Sequence, residues 1–282
     1  MPEFRPPDFP KTARLTGLVR RVLGLNPGLM TGPGTNTYLV GEREPLLLDT
    51  GAGVEEYPAL LRGFLAAEQL GDIPRVLLTH RHRDHMGGVT DLRRLYPRIP
   101  VAKLVVNDPS LPVPMEPLAD GMVIRGDGVT LHALHTPGHA SDHLCYYLDE
   151  ERALFTGDVI LGGSTTVIPP DDGDLGQYLD SLQRLLKLDV RRIYPGHGPV
   201  LEPARPVIEE FIAHRLEREA QILDALGAGA ETIPDIVARV YTDVAPVLHP
   251  VARLSVQSHL VKLDREGRVH HLRDDPPRYR PA

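Results

Sequence analysis

Between Leu77 and Gly88 the chain reads LLTHRHRDHMGG, an apolar run that ends in three histidines and an aspartate within six positions. No other stretch constrains the fold as tightly. On a strand-to-loop transition residues i and i+2 point the same way, so His80 and His82 can converge on one ion. The turn that follows can aim Asp84 and His85 at a second. Neutral imidazole and carboxylate are the donors that catalytic zinc prefers. Gly87 and Gly88 permit a tight turn from the strand into a short helix.

Similar positions recur at later strand ends. His139 lies in TPGHASDH, Asp158 in FTGDVI and His197 in YPGHGP, each beside glycine or proline where backbone must bend to expose a side chain. Five histidines and two aspartates suffice for two ions if one carboxylate bridges them. Loop histidines and helix-capping aspartates explain any one of these residues alone. Four sites in this order point instead to a metal centre.

The rest of the chain supplies the frame. NTYLVG and PLLLDTG read as a strand pair, and Val54–Leu70 as an amphipathic helix stopped at Gly71. RVLLTH predicts a strand running into the histidines, and GGVTDLRRLYP a short helix after them. GVTLHALHTPGH, HLCYYLDEERALFTGD and RRIYPGH predict further strands, with an amphipathic helix in LGQYLDSLQRLLKLDV before the last. Strands and helices with the polar residues gathered in loops imply sheets covered by helices, with chemistry at one edge. Beyond GPVLEPARPV the composition changes to a long charged helix over residues 206–226, a helix after the Thr232 cap, a third helix, a short RVHHL run and a Pro-rich tail. A boundary near Arg205 divides residues 1–205 from 206–282.

The 282 residues carry a formal net charge of -7 and only 5% aromatics, with no Trp. That balance argues against nonspecific attraction to polyphosphate or anionic membranes. A single cysteine, Cys145, excludes an internal disulfide and fits a reducing compartment. The N-terminal stretch has no apolar signal core, and no run reaches the roughly 18 apolar residues of a membrane helix. A cytoplasmic location is expected.

THRHRDHMGG, HTPGHASDH, FTGD and YPGHGP, preceded by LLLDTG, resemble in order the five motifs of the metallo-beta-lactamase superfamily. The resemblance implies an α+β fold, a four-layer αβ/βα sandwich with two metals in the cleft at its top. Carried over motif by motif, it gives His80, His82 and His139 to the first metal. Asp84, His85 and His197 go to the second, and Asp158 bridges the pair. Asp49 in LLLDTG is then expected to buttress the ligand loop. Strict beta-lactamases generally lack an aspartate at the Asp84 position, so beta-lactam hydrolysis is not the expected main activity. Two Zn2+ ions are expected, with iron or manganese compatible with the mixed N/O set. Such a pair lowers the pKa of a shared water, so the expected chemistry is hydrolysis by a metal-bridging hydroxide, with Asp84 as both ligand and catalytic residue.

GTNTYLVG, TPGHASDHLCYYL, GDVILGGSTTV and IYPGHGPV narrow the resemblance to the beta-lactamase-like protein 2 family. The C-terminal stretch resembles that family's winged-helix-like module. The family implies either a zinc endoribonuclease acting on single-stranded RNA, the first expectation, or a thioesterase of the hydroxyacylglutathione or acyl-carrier type. A third reading is a metal-stabilised scaffold that binds nucleic acid or a partner. Asn36, Ser164, Thr165 and Thr166 are candidate substrate-binding residues, because hydroxyls and amides there could hold a phosphate; strand-edge hydrogen bonding explains each equally well. Arg81 and Arg83 could neutralise a phosphate or stand as solvated loop charges. Scarce aromatics and the acidic IPPDDGD segment (residues 168–174) argue against a single-strand platform. His132 and His135 read as sheet residues, and Asp142 and His143 as supports for the ligands.

Overall fold

The computed structural model describes residues 9–105, 114–272 and 275–282. The chain divides into two compact units. The first comprises Met1–Thr136, Asp142–Thr165 and Leu188–Arg205; the second comprises Pro137–Ser141, Thr166–Lys187 and Pro206–Ala282.

The first unit is built on two sheets. One has seven strands in sequence order: β1 Thr12–Arg14, β2 Val19–Leu23, β3 Asn36–Val40, β4 Leu46–Leu48, β5 Val76–Leu77, β6 Val101–Leu104 and β7 Glu116–Leu118. The other is built from β8 Val123–Gly126, β9 Val129–His135, β10 Leu144–Leu148, β11 Ala153–Gly157 and β12 Arg192–Pro195, in the order β12-β11-β10-β9-β8. The period-2 alternation of strands explains how they pack. Tyr38, Val40, Leu46, Leu48 and Leu77 turn inward onto Leu131, Ala133, Leu144, Tyr146 and Phe155 of the second sheet. Leu39, Leu47 and Val76 turn outward, beneath helices α1 (Tyr57–Ala67) and α3 (Val89–Leu95). Because these strands are buried on both faces, they read in sequence as continuous apolar runs. Few aromatics are available, and three of them meet between the sheets: Tyr38 lies 5.1 Å from Phe155 and 5.6 Å from Tyr194, centroid to centroid.

The expected strand pair is β3 with β4, Tyr38 opposite Leu48. The strand expected in RVLLTH is shorter than its apolar run. Only Val76 and Leu77 form β5, and the chain then leaves the sheet to turn through the histidines. β2, VRRVL, carried no strand signal because two arginines interrupt it. Both are buried: Arg20 donates to Gly41 O at 2.8 Å, and Arg21 stacks on the Phe9 ring.

The second unit contains α4 (Leu175–Leu186), α5 (Ala204–Gly227), α6 (Ile233–Val240) and α7 (His249–Arg265), followed by β13 (Val269–Leu272) and β14 (Arg278–Pro281). Ile222, Ile236, Val256, Leu260, Val269 and Tyr279 share one core, so three helices and a two-stranded wing fold together. Thr232 and Asp235 form a reciprocal capping box at the start of α6. The Pro-rich tail is in part a strand, with Tyr279 opposite His271. Of the acidic IPPDDGD segment, Asp172 accepts from Ser141 N and Asp174 caps α4 while pairing with Arg265. Two of its three carboxylates are therefore occupied by their own chain. No helix among the described residues is long and apolar enough to cross a membrane.

Candidate metal centre

The histidine segment is held in place by the loop that follows β4. His82 is the N-cap of a single-turn helix, α2 (Arg83–Met86), which presents Asp84 and His85. Thr50 N and Thr50 Oγ1 both donate to His85 O, at 2.7 and 2.9 Å, and Gly88 N donates to Gly51 O. Asp49 sits in the left-handed region at φ 60°, where non-glycine residues are uncommon. Its buried carboxylate accepts from Thr79 N at 2.8 Å, from Thr79 Oγ1 at 2.9 Å and from His85 Nδ1 at 2.7 Å. A carboxylate can only accept here, so Nδ1 carries the proton and the His85 Nε2 lone pair faces the opposite way.

That nitrogen enters a cluster. His85 Nε2 lies 3.2 Å from Asp158 Oδ1 and 3.6 Å from Asp84 Oδ2. His197 Nε2 lies 3.2 Å from Asp84 Oδ2 and 3.3 Å from Asp158 Oδ1. Two groups emerge: His80, His82, His139 and Asp158, and Asp84, His85, Asp158 and His197. Within each, the ligand atoms lie within 4.8 Å of one another, and Asp158 belongs to both. His139 Nδ1 is 2.7 Å from Val167 O, so that nitrogen carries the proton and the lone pair is left on Nε2.

Electrostatics follow the geometry. Burial alone would raise the Asp158 carboxyl and lower the two imidazoles. The charges of His197 and His85 instead hold Asp158 well below the usual carboxylate range. Asp158, with Asp84 beside it, pushes His197 up to about 9 against its burial. His85 is driven up in the same sense by Asp158 and Asp49. Both imidazoles are thus biased toward the cationic form by the carboxylates around them.

The residues fit a metal pair. His85 Nε2 is wholly buried and makes no well-formed hydrogen bond, a costly arrangement unless a cation completes it. Gly196 shows that the surrounding space is kept open: a Cβ there would lie 2.7 Å from Asp158 Oδ1 and 2.8 Å from His85 Cε1.

The substrate-binding candidates separate. Asn36 is 1% exposed, and its Nδ2 donates to Pro195 O and Gly198 O, each at 2.9 Å, strapping the loop that carries His197. Thr166 is buried, and its carbonyl accepts from Arg215. Ser164 is exposed and Thr165 half-buried. Thr79, Thr50 and Lys103 carried no signal in the sequence, since each acts through a partner distant along the chain. Lys103 is 1% exposed on β6 and forms a buried ion pair with Asp142. His143 Nε2 accepts from Asp158 N at 3.1 Å, and its Nδ1 lies 3.0 Å from Thr136 Oγ1.

A two-sheet sandwich with paired His/Asp clusters sharing one aspartate defines a metallohydrolase of the metallo-beta-lactamase fold. Residues 30–197 match the family model of the metallo-beta-lactamase superfamily, and residues 232–278 match the beta-lactamase associated winged helix domain. The chain belongs to the metallo-beta-lactamase superfamily and is a hydrolase of that class. It is 40% identical to the atrochrysone carboxyl ACP thioesterase of Claviceps purpurea over 83% of this chain and 76% of that one. It is 39% identical to the beta-lactamase-like protein 2 homolog of Caenorhabditis elegans, over 92% of this chain and 88% of that one. The crystal structure of a metallo-beta-lactamase family protein from Thermus thermophilus superposes with a TM-score of 0.74 at 24% identity, covering 95% of this chain and all of that one.

Proposed function

We propose that this chain is a dinuclear metal-dependent thioesterase acting on acyl thioesters of the carrier-protein or pantetheine type. In this reading His80, His82 and His139 hold one divalent ion, Asp84, His85 and His197 hold the other, and Asp158 belongs to both. When bound, such a pair polarises the substrate carbonyl and makes water acidic enough to attack near neutral pH. Asp84 is the most open of the carboxylates, its side chain 27% exposed against 10% for Asp158. It is therefore placed to accept a hydrogen bond from the attacking water at the rim.

The observation that carries the thioester reading is the character of the cluster. With its histidines serving as ligands, it offers ionised carboxylates and no proton donor for a leaving group. A thiol, with a pKa of about 8.5, departs as thiolate without help, whereas the alkoxide released from a phosphodiester needs a proton or a metal ion to stabilise it. The burial of Asn36 and Thr166 also removes two of the four groups that could have held a phosphate. Similarity to a carrier-protein thioesterase over most of both chains supports the same choice.

The test is a substrate panel with zinc-loaded protein: S-acyl glutathiones, acyl-pantetheines and single-stranded RNA. Turnover of the thioesters with RNA intact is expected. RNA cleavage without thioester turnover overturns the thioester reading and restores the endoribonuclease first implied by the sequence.

A further inference from the structure

His143 is wholly buried four residues beyond His139, yet it belongs to neither group of ligand atoms. Three features tie it to the centre. Its Nε2 accepts the backbone N–H of Asp158 at 3.1 Å. Its ring stacks on the His80 ring, with centroids 5.0 Å apart and planes 30° apart. Residue 157 is a glycine because a Cβ there would lie 2.6 Å from His143 Nε2. The tautomer is fixed by its partners. An amide N–H can only donate, so Nε2 is the acceptor and Nδ1 carries the proton toward Thr136 Oγ1.

The neighbouring residue secures the backbone. Asp142 and Lys103 form an ion pair from side chains 1% and 2% exposed, and Lys103 Nζ also donates to Leu104 O at 2.9 Å. A buried ion pair gives little net stability, but it fixes geometry, because breaking it strands a charge. Here it pins the segment bearing His143 to β6.

We propose that His143 is a positioning residue for the metal pair: through Asp158 N–H and the His80 ring it sets the placement of the shared carboxylate against the first metal position. The role rests on the metal-centre reading. A residue that only filled space would be replaceable by any side chain of similar volume. A positioning residue is replaceable only by one that keeps an acceptor at the Nε2 position.

The experiment titrates ion-free protein with Co2+ alone, following visible absorption and competition with a chromophoric chelator. Wild-type protein is expected to take up two ions. His143→Leu is expected to lose at least about tenfold in affinity for one of them and to change the cobalt spectrum. His143→Gln, whose amide oxygen can accept from Asp158 N–H, is expected to restore most of the loss. Thr136→Val, which removes the partner of Nδ1, is expected to show a smaller loss in the same direction. His143→Leu that folds by circular dichroism and binds two Co2+ with wild-type affinity and spectrum overturns the proposal. If His143→Leu does not fold, an unchanged affinity and spectrum in Thr136→Val overturns it instead. Wild-type protein that takes up no cobalt overturns the metal centre itself, and the positioning role with it.

Discussion

Asp49 Oδ2 and His85 Nδ1 lie 2.7 Å apart in the buried core of the first unit, although thirty-six residues separate them along the chain. The contact assigns the His85 tautomer and aims Nε2 at Asp158. Asp49→Asn keeps the shape and removes the charge that makes His85 a strong donor. Metal affinity at the group of Asp84, His85 and His197 is expected to fall about 10- to 100-fold with the fold retained. Chelator competition measures it, and wild-type affinity would remove Asp49 from the design of the site.

Gly196 precedes His197 and faces Asp158. Gly196→Ala forces a methyl to within 2.7 Å of Asp158 Oδ1 and 2.8 Å of Gly157 O, so backbone must shift. Overpacking of this kind costs about 1–3 kcal/mol. Elemental analysis is expected to find less than the wild-type metal content; a full complement would show that the loop can yield without disturbing the ligands.

Asn36 separates a substrate role from a scaffolding one. Asn36→Ala leaves the carbonyls of Pro195 and Gly198 without their donor. The loss of two buried hydrogen bonds is expected to destabilise the protein by about 1–3 kcal/mol and to lower kcat together with metal content. A rise in KM alone, with metal content intact, would return Asn36 to substrate binding.

The ion-free protein has a pH dependence of definite sign. His197 titrates near 9 in the folded chain, burial being outweighed by Asp158 and Asp84, against an ordinary value of 6.5. Its contribution is fully present below 6.5 and is lost as pH rises through about 9. The melting temperature of chelator-treated protein is therefore expected to fall across that window, while metal-loaded protein, with cations in place of protons, should not follow it. A flat profile for the ion-free protein would show that His197 does not hold the proton.

The legible parts of the sequence were those written locally. The run of apolar residues before His80 and the glycines after His85 belong to a strand that must stop and turn, and β5 does stop after two residues. Arg20 and Arg21 hid β2, because their partners, Gly41 O, Glu68 and the Phe9 ring, lie elsewhere in the chain. The wing strand β14 was hidden by its prolines for the same reason: its pairing partner, not its composition, makes it a strand.

By itself the sequence determined the order of the metal-ligand candidates and the class of chemistry, since donor type and short-range spacing are properties of a few consecutive residues. Only the tertiary structure decided how those residues are held. It gave Asn36 two buried hydrogen bonds to the His197 loop, the strand-edge role that the sequence offered beside substrate binding. It joined Asp49 to His85, Lys103 to Asp142 and His143 to the backbone of Asp158. The physical reason is that a hydrogen bond or buried ion pair depends on where two distant segments cross, and hydrophobic packing between the sheets fixes that crossing.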